Sequence, residues 1–302
     1  MNLQAYERIT DRIIALLKEG TIPWRKPWKA RTGWPRNIVS KSPYRGINVF
    51  LLLSMSYESP FWLTFRQATV LGGTVRKGEK ACPVVFWKRI PVEDKESGGK
   101  HEIPILRMYH VFNASQCDGI GEAPVPEQPT EMATGQVGKP DEIVANMPKR
   151  PVIKHGMTQS FYSPVEDCVG MPLRERFARE EEYFSALFHE LIHATGHKTR
   201  LDRPNLSENA GFGSDPYSKE ELIAEMGAAF LSGHAEIIDQ TIDNSAAYLT
   251  GWLKRLEKEH TLIVQAAAQA QKATDFILGR FPAEVMPDEN QNTVPCHPEV
   301  AA

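Results

Sequence analysis

The chain has 302 residues, 41% of them hydrophobic, which is enough for a real core and for two domains. No stretch approaches the roughly 18 apolar residues that cross a bilayer, and Met1–Glu19 carries charges among its apolar positions, unlike a secretory leader. A protein of the reducing cytoplasm is therefore expected, and Cys82, Cys117, Cys168 and Cys296, scattered with no CxxC pair, argue against a disulfide framework or a cysteine-rich metal site.

The net charge of −3 hides a division: residues 1–113 hold 19 Lys and Arg against 9 Asp and Glu, leaving 16 against 29 for the rest. The first half is suited to a polyanion. In chain order, Leu3–Leu17 places Ile9, Ile13, Leu16 and Leu17 at helical spacing and stops at Gly20. Trp24-Arg25-Lys26-Pro27-Trp28-Lys29 then mixes rings with cations, and Trp34, Trp62 and Trp87 lie in the same half. Such a mixture neutralises phosphates and stacks on bases. Arg25, Lys26, Lys29, Arg31, Arg45, Arg76, Lys77 and Lys80 are the candidate phosphate contacts, with Trp24, Trp28 and Trp34 as candidate stacking partners. No groove-reading helix motif is present, so a single strand is favoured.

Pro43–Asn48 reads as a turn, Phe61–Leu71 as strand then helix, and Pro83–Trp87 and Leu106–Phe112 as two strands around the polar loop Glu93–Lys100. Gly119–Pro151 has the composition of an interdomain connection, with weak helical character at Glu142–Asn146. Val152–Lys154 and Gln159–Tyr162 read as short strands meeting near Gly156, closed by Met171-Pro172. A continuous helical pattern then runs from Arg174 to His197.

That helix carries His189-Glu190-Leu191-Ile192-His193. Positions i and i+4 share a helical face, so both imidazoles can address one ion while Glu190 reaches a water as general base. Gly196 offers a helix stop. A metzincin third ligand would fall on Thr199 and is absent; His197 would crowd the ion and is set aside. An acid on a later helix is the alternative. Ser218-Lys219-Glu220-Glu221 opens such a helix with Ser218 as N-cap and Glu221 at the capping-box position. Glu221 is preferred as third ligand, and Glu225, on the same face, as acceptor of a ligand's outer N–H. Ala224 and Ala228 allow close packing. Zinc is the ordinary occupant, although two histidines and one carboxylate also accept manganese or another divalent ion. His234 and Tyr217 suit packing better than oxyanion binding. Trp252, Leu253 and Leu256, then Leu262–Ile277, continue at helical spacing, and Pro282–Ala302 is polar and without period.

Trp-Arg-Lys-Pro-Trp at 24–28, Pro-Tyr-Arg-Gly-Ile-Asn at 43–48, Trp-Leu-Thr-Phe at 62–65 and Val-Arg-Lys-Gly-Glu-Lys at 75–80 resemble the antirestriction proteins of the ArdC type carried by conjugative plasmids. So do Tyr162-Ser163-Pro164, Met171-Pro172, the 189–197 segment, Glu221–Glu225 and Gly251-Trp252-Leu253. The resemblance spans about residues 3–281, and its first module is also similar to one in plasmid primases. It implies an α+β chain of two domains. An N-terminal α+β single-stranded-DNA-binding domain (1–120) and a linker (121–150) would precede a mainly helical zincin-like metallopeptidase domain with a small β-sheet (151–281) and a flexible tail (282–302). It further implies that His189, His193 and Glu221 hold the metal, that Glu190 is the base of a gluzincin-like peptidase, and that incoming plasmid DNA is shielded from restriction. A host restriction component is then a possible protein target. A DNA-coating or primase-associated protein whose metal domain is structural is the alternative.

Overall fold

The computed structural model describes residues 3–25, 33–93, 100–120, 139–204, 218–237 and 246–280. Lys26, Trp28, Lys29, Arg31, Tyr217 and the tail beyond Arg280 lie outside the described residues. Helix α1 (Leu3–Lys18) forms where its period predicts and buries Tyr6, Ile9, Ile13 and Leu17 along one stripe. It ends at Gly20, whose φ of 79° only glycine adopts freely.

The Pro43–Asn48 turn leads straight into a helix that periodicity misses, α2 (Ile47–Ser54). Its run Ile-Asn-Val-Phe-Leu-Leu-Leu-Ser is buried almost all round, so no polar face marks it as helical. β1 (Arg36–Asn37), β2 (Phe61–Leu63), β4 (Cys82–Glu93) and β5 (Lys100–Asn113) make a sheet in the order β1-β2-β5-β4, beside a small ladder of β3 (Thr74–Val75) and β6 (Cys117–Asp118). Between β2 and β3, α3 (Phe65–Val70) starts on a capping box of Thr64 and Gln67. β4 and β5 are the expected hairpin, with Val84 opposite Tyr109 and Phe86 opposite Arg107. At its edge, Asn48 from α2 donates to the Val85 carbonyl (2.7 Å) and accepts the Val85 N–H (2.8 Å), taking the place of a neighbouring strand.

In the second half α4 (Pro140–Ala145) precedes β7 (Val152–His155), β8 (Phe161–Ser163) and β9 (Cys168–Met171). The first two strands do not pair with one another as expected. Both flank β9, in the order β7-β9-β8. The sequence hides β9 because its four residues include Gly170, which is required by packing: a Cβ there would lie 2.4 Å from the Phe161 ring. The helical pattern from Arg174 resolves into a short 3-10 turn and then α5 (Glu180–Thr195), followed by α6 (Lys219–His234), α7 (Ala246–Lys258) and α8 (Leu262–Ile277).

One apolar core runs through both halves. The alanine-rich centre of α8, with Ala266, Ala267, Ala270 and Ala273 fully buried, lets other backbones come close, and α8 packs against α1, α2, α5 and α6. Phe50 of α2 stacks on Phe230 of α6 at 4.7 Å, and Trp24 meets Trp252 edge-on at 6.0 Å. Trp34 stacks on His234 at 4.7 Å. Gly46 donates its N–H to Gln271 (3.0 Å) and the Arg45 guanidinium pairs with buried Asp275. The Pro-Tyr-Arg-Gly-Ile-Asn segment is therefore an interdomain latch.

His234 in this joint has its pKa pushed down to about 3, by burial first and then by the Arg280 and Arg45 charges. A histidine whose folded pKa is depressed contributes stability above its unfolded value, about 6.5, and loses it as pH falls from there toward about 3. Urea unfolding of the native chain and of His234→Gln is expected to diverge on acidification. The native protein should lose up to about 1.4 kcal/mol per pH unit more than the variant. Parallel pH profiles would contradict the assignment.

Candidate metal centre and nucleic-acid surface

α5 presents His189 and His193 on one face, their ring centroids 4.8 Å apart and their planes 75° inclined. α6 crosses beside them at its N-terminal turn, where the Ser218 hydroxyl accepts the Glu221 N–H at 3.2 Å. This is the Ser218 half of the predicted capping box; the Glu221 carboxylate turns to the histidines. Ala224 is fully buried in the crossing, but the tightest point is Gly227, where a Cβ would sit 2.6 Å from Ile192 Cδ1. That glycine brings Glu221 within reach.

Three donors converge. His189 Nε2 lies 3.1 Å from His193 Nε2 and 3.4 Å from Glu221 Oε2, and His193 Nε2 lies 3.5 Å from Glu221 Oε1. Ligands about 2.0–2.1 Å from a tetrahedral ion stand roughly 3.3 Å apart, so the three separations match one face of such a tetrahedron and leave the fourth corner to an outside group. Among the described residues no other His, Cys, Asp and Glu group forms such a set. Burial lowers the His189 pKa, but Glu221, Glu190 and Glu225 outweigh it and the net shift is upward. Burial raises that of Glu221, yet His189 and His193 hold it below the ordinary carboxylate value. Lone pairs facing one another with this bias suit a divalent cation, and the residues fit one.

Glu190 flanks the triangle. Burial pushes its proton affinity up, against the pull of both histidines, and its carboxylate accepts the backbone N–H of Tyr162 on β8. A raised proton affinity of this kind suits a group that accepts a proton in general base catalysis. His197 stays away from the triangle, with its Nδ1 at 2.8 Å from Thr199 Oγ1 and 3.8 Å from Asp167.

The outer contacts differ from expectation. Glu225 accepts Trp24 Nε1–H at 2.8 Å and the Tyr248 hydroxyl, and lies 3.4 Å from Arg25 Nη2. It is an interdomain acceptor, one helical turn from Glu221. The other ring nitrogen of His193 instead faces Glu220 Oε1 at 3.4 Å, and Glu220 is paired with Arg203. Burial opposes ionisation of Glu220, but His193 and Arg203 together keep its carboxyl below the usual value. Neither Glu220 nor Arg203 stands out in sequence: Glu220 looks like an ordinary acid at a helix start, and Arg203 belongs to no periodic element.

The basic half also rearranges. Trp24 is buried and hydrogen-bonded, so it offers no face to a base, and Trp34 packs on Phe230 and His234. Arg25 lies 3.8 Å over the Tyr248 ring beside Glu225, and Arg45 is committed to Asp275. Arg76 ties its own loop, donating to Glu79 (2.9 Å) and the Ser115 carbonyl (2.7 Å). Sequence shows the charge of these candidate phosphate contacts but not its partner; Arg45 and Arg76 remain exposed beside theirs. Lys77 and Lys80 are exposed. Exposed aromatic surface appears on β4, at Phe86 (39%) and Trp87 (45%), and at Phe65 (61%), with exposed Arg107 opposite Phe86.

Comparison with known proteins matches residues 3–112 to the N-terminal domain of anti-restriction factor ArdC and residues 140–269 to a zincin-like metallopeptidase family. The metal-free crystal structure of the antirestriction protein ArdC from plasmid R388 superposes with a TM-score of 0.71 at 37% identity, over 92% of this chain and 97% of that one. Its Mn(II)-bound structure matches at 38% identity, again with a TM-score of 0.71, over 91% and 97%. A DNA primase TraC of Escherichia coli is 33% identical over 96% of this chain, which spans 28% of that primase. The uncharacterized protein y4eC of Sinorhizobium fredii (strain NBRC 101917 / NGR234) is 33% identical over 90% of this chain and 91% of its own length.

Proposed function

Because the chain belongs to the ArdC family of antirestriction proteins, with an ArdC N-terminal domain joined to a zincin-like domain, we propose that it binds single-stranded DNA and protects incoming plasmid DNA from host restriction. Its second domain would act as a metal-dependent peptidase, with a host restriction component as target. The observation that carries the enzymatic part is the convergence of His189, His193 and Glu221 beside Glu190.

When bound, the divalent ion, zinc in our reading, would supply Lewis acidity. His189, His193 and Glu221 would hold it. Glu190, partly desolvated and steadied by the Tyr162 N–H, would take the proton of an attacking water and pass it to the leaving nitrogen. No described helix is long and apolar enough to cross a membrane.

Charge segregation and the exposed rings support the DNA part. Exposed rings can stack on bases, so Phe86, opposite exposed Arg107, and Trp87 replace Trp24 and Trp34 as stacking candidates, and Lys77 and Lys80 remain exposed candidates for phosphate. Binding of an oligonucleotide, followed by anisotropy at rising salt, is expected to weaken steeply, with a slope of about −0.7 per phosphate neutralised. Phe86→Ala should cost roughly 1–3 kcal/mol of affinity for a single strand. Duplex binding as tight as single-strand binding, or no loss in that variant, would remove the stacking assignment.

The match to primases favours a second reading. The chain spans 28% and 20% of the two TraC primases it matches, so homologous sequence also sits within long DNA-processing proteins. Under that reading the protein coats DNA or assists a primase, and its metal domain is structural.

A further inference from the structure

We propose that Glu220 and Arg203 form a buried ion pair that orients His193 and sets the affinity of the metal centre. This rests on reading His189, His193 and Glu221 as that centre. His193 spends Nε2 on the donor triangle, and Nδ1 lies 3.4 Å from Glu220 Oε1. A metal-bound histidine carries its proton on the second nitrogen, and the acceptor of that proton fixes the ring plane and the basicity of the ligand.

Glu220 is held in turn. Arg203, only 5% exposed, grips it with two prongs, Nη2 to Oε1 at 2.5 Å and Nε to Oε2 at 3.1 Å. Its remaining contacts fall on the last turn of α5, on either side of His193: Nη2 to the Ile192 carbonyl (2.8 Å) and Nη1 to the Thr195 hydroxyl (2.6 Å). The Arg203 backbone N–H reaches the Gly196 carbonyl at 3.0 Å. One guanidinium thus locks the end of the ligand-bearing helix to the acid that faces its second histidine.

Gly196 makes room for this. Its φ of −72° and ψ of −13° are right-handed, so no left-handed stop explains the glycine. A Cβ at this position would instead lie 3.0 Å from Arg203 Nη2 and 3.1 Å from Cζ. If the pair only joined α5 to α6, its loss would lower stability alone; an orienting pair also governs metal affinity.

The test is zinc binding by the full chain, read by competition with a chromophoric chelator, with urea unfolding of the metal-free protein alongside. The double variant Glu220→Gln/Arg203→Met replaces the pair with neutral groups of similar size, an exchange that buried ion pairs often tolerate. Its metal-free unfolding midpoint should still fall, because the Ile192 carbonyl and the Thr195 hydroxyl lose their donor, while zinc affinity of the folded variant falls roughly 10–100-fold and the visible absorption of the cobalt(II)-loaded form shifts. Gly196→Ala, pressing on the guanidinium, should lower zinc affinity in the same direction, and it decides alone if the double variant does not fold. Zinc affinity within about twofold of native in the folded variant overturns the proposal and leaves the metal centre standing. A native chain that binds neither zinc nor manganese overturns both.

Discussion

Glu190→Gln is expected to keep its divalent ion and lose any hydrolysis, whereas His193→Ala is expected to lose the ion itself. The two residues stand three positions apart on α5, but only one contributes an atom to the donor triangle. Removing His193 takes away one of three donors and leaves Glu220 facing an empty corner, so the loss of affinity should exceed the roughly 10–100-fold attributable to outer partners. Glu190 holds no ion in this reading. Glutamine keeps its size and its contact with the Tyr162 N–H but cannot carry a proton, which removes about 10²–10⁴-fold of rate. Metal analysis of the purified variants checks the first half, and metal-dependent cleavage the second. The same pair decides between the two functional readings: a Glu190→Gln protein that shields plasmid DNA as well as the native one points to a coat, and a defective one to a peptidase. Metal-free Glu190→Gln or metal-replete His193→Ala would refute the ligand assignment.

The second large effect concerns the joint between the domains. Phe230 is buried on α6, stacked on Phe50 from the N-terminal half and touching Trp34. Phe230→Ala should therefore cost about 3–5 kcal/mol, a large part of the roughly 5–15 kcal/mol that holds an ordinary domain together. Because the core runs through both halves, the loss should appear as one shifted unfolding transition reported equally by probes in either domain. A variant in which only the metal domain melts early would show that the halves fold independently and that the shared core carries little energy.

The histidine pair and the opening helix were legible from residue spacing, because a helical period of 3.6 dictates which side chains share a face whatever surrounds them. The Ser218 cap was legible for a similar reason: its hydrogen bond closes within three residues. α2 was not, since burial on every side erases the polar face that reveals a helix, and β9 was not, since a four-residue strand containing glycine carries almost no pattern.

Charge was legible in amount but not in use. Sequence alone establishes a basic half rich in tryptophan and an acidic half bearing the metal motif; only the fold reveals that Arg25 and Arg45 face Glu225 and Asp275, more than 190 residues away in the chain, and that Trp24 lies inside the core. The same division separates Glu221, marked by its place at a helix start, from Glu220, Arg203 and Gly227, whose roles exist only where α5 and α6 cross. Local hydrogen bonds and helical period are properties of neighbouring residues and can be read in one dimension. Which carboxylate answers which cation depends on distances that only close packing creates.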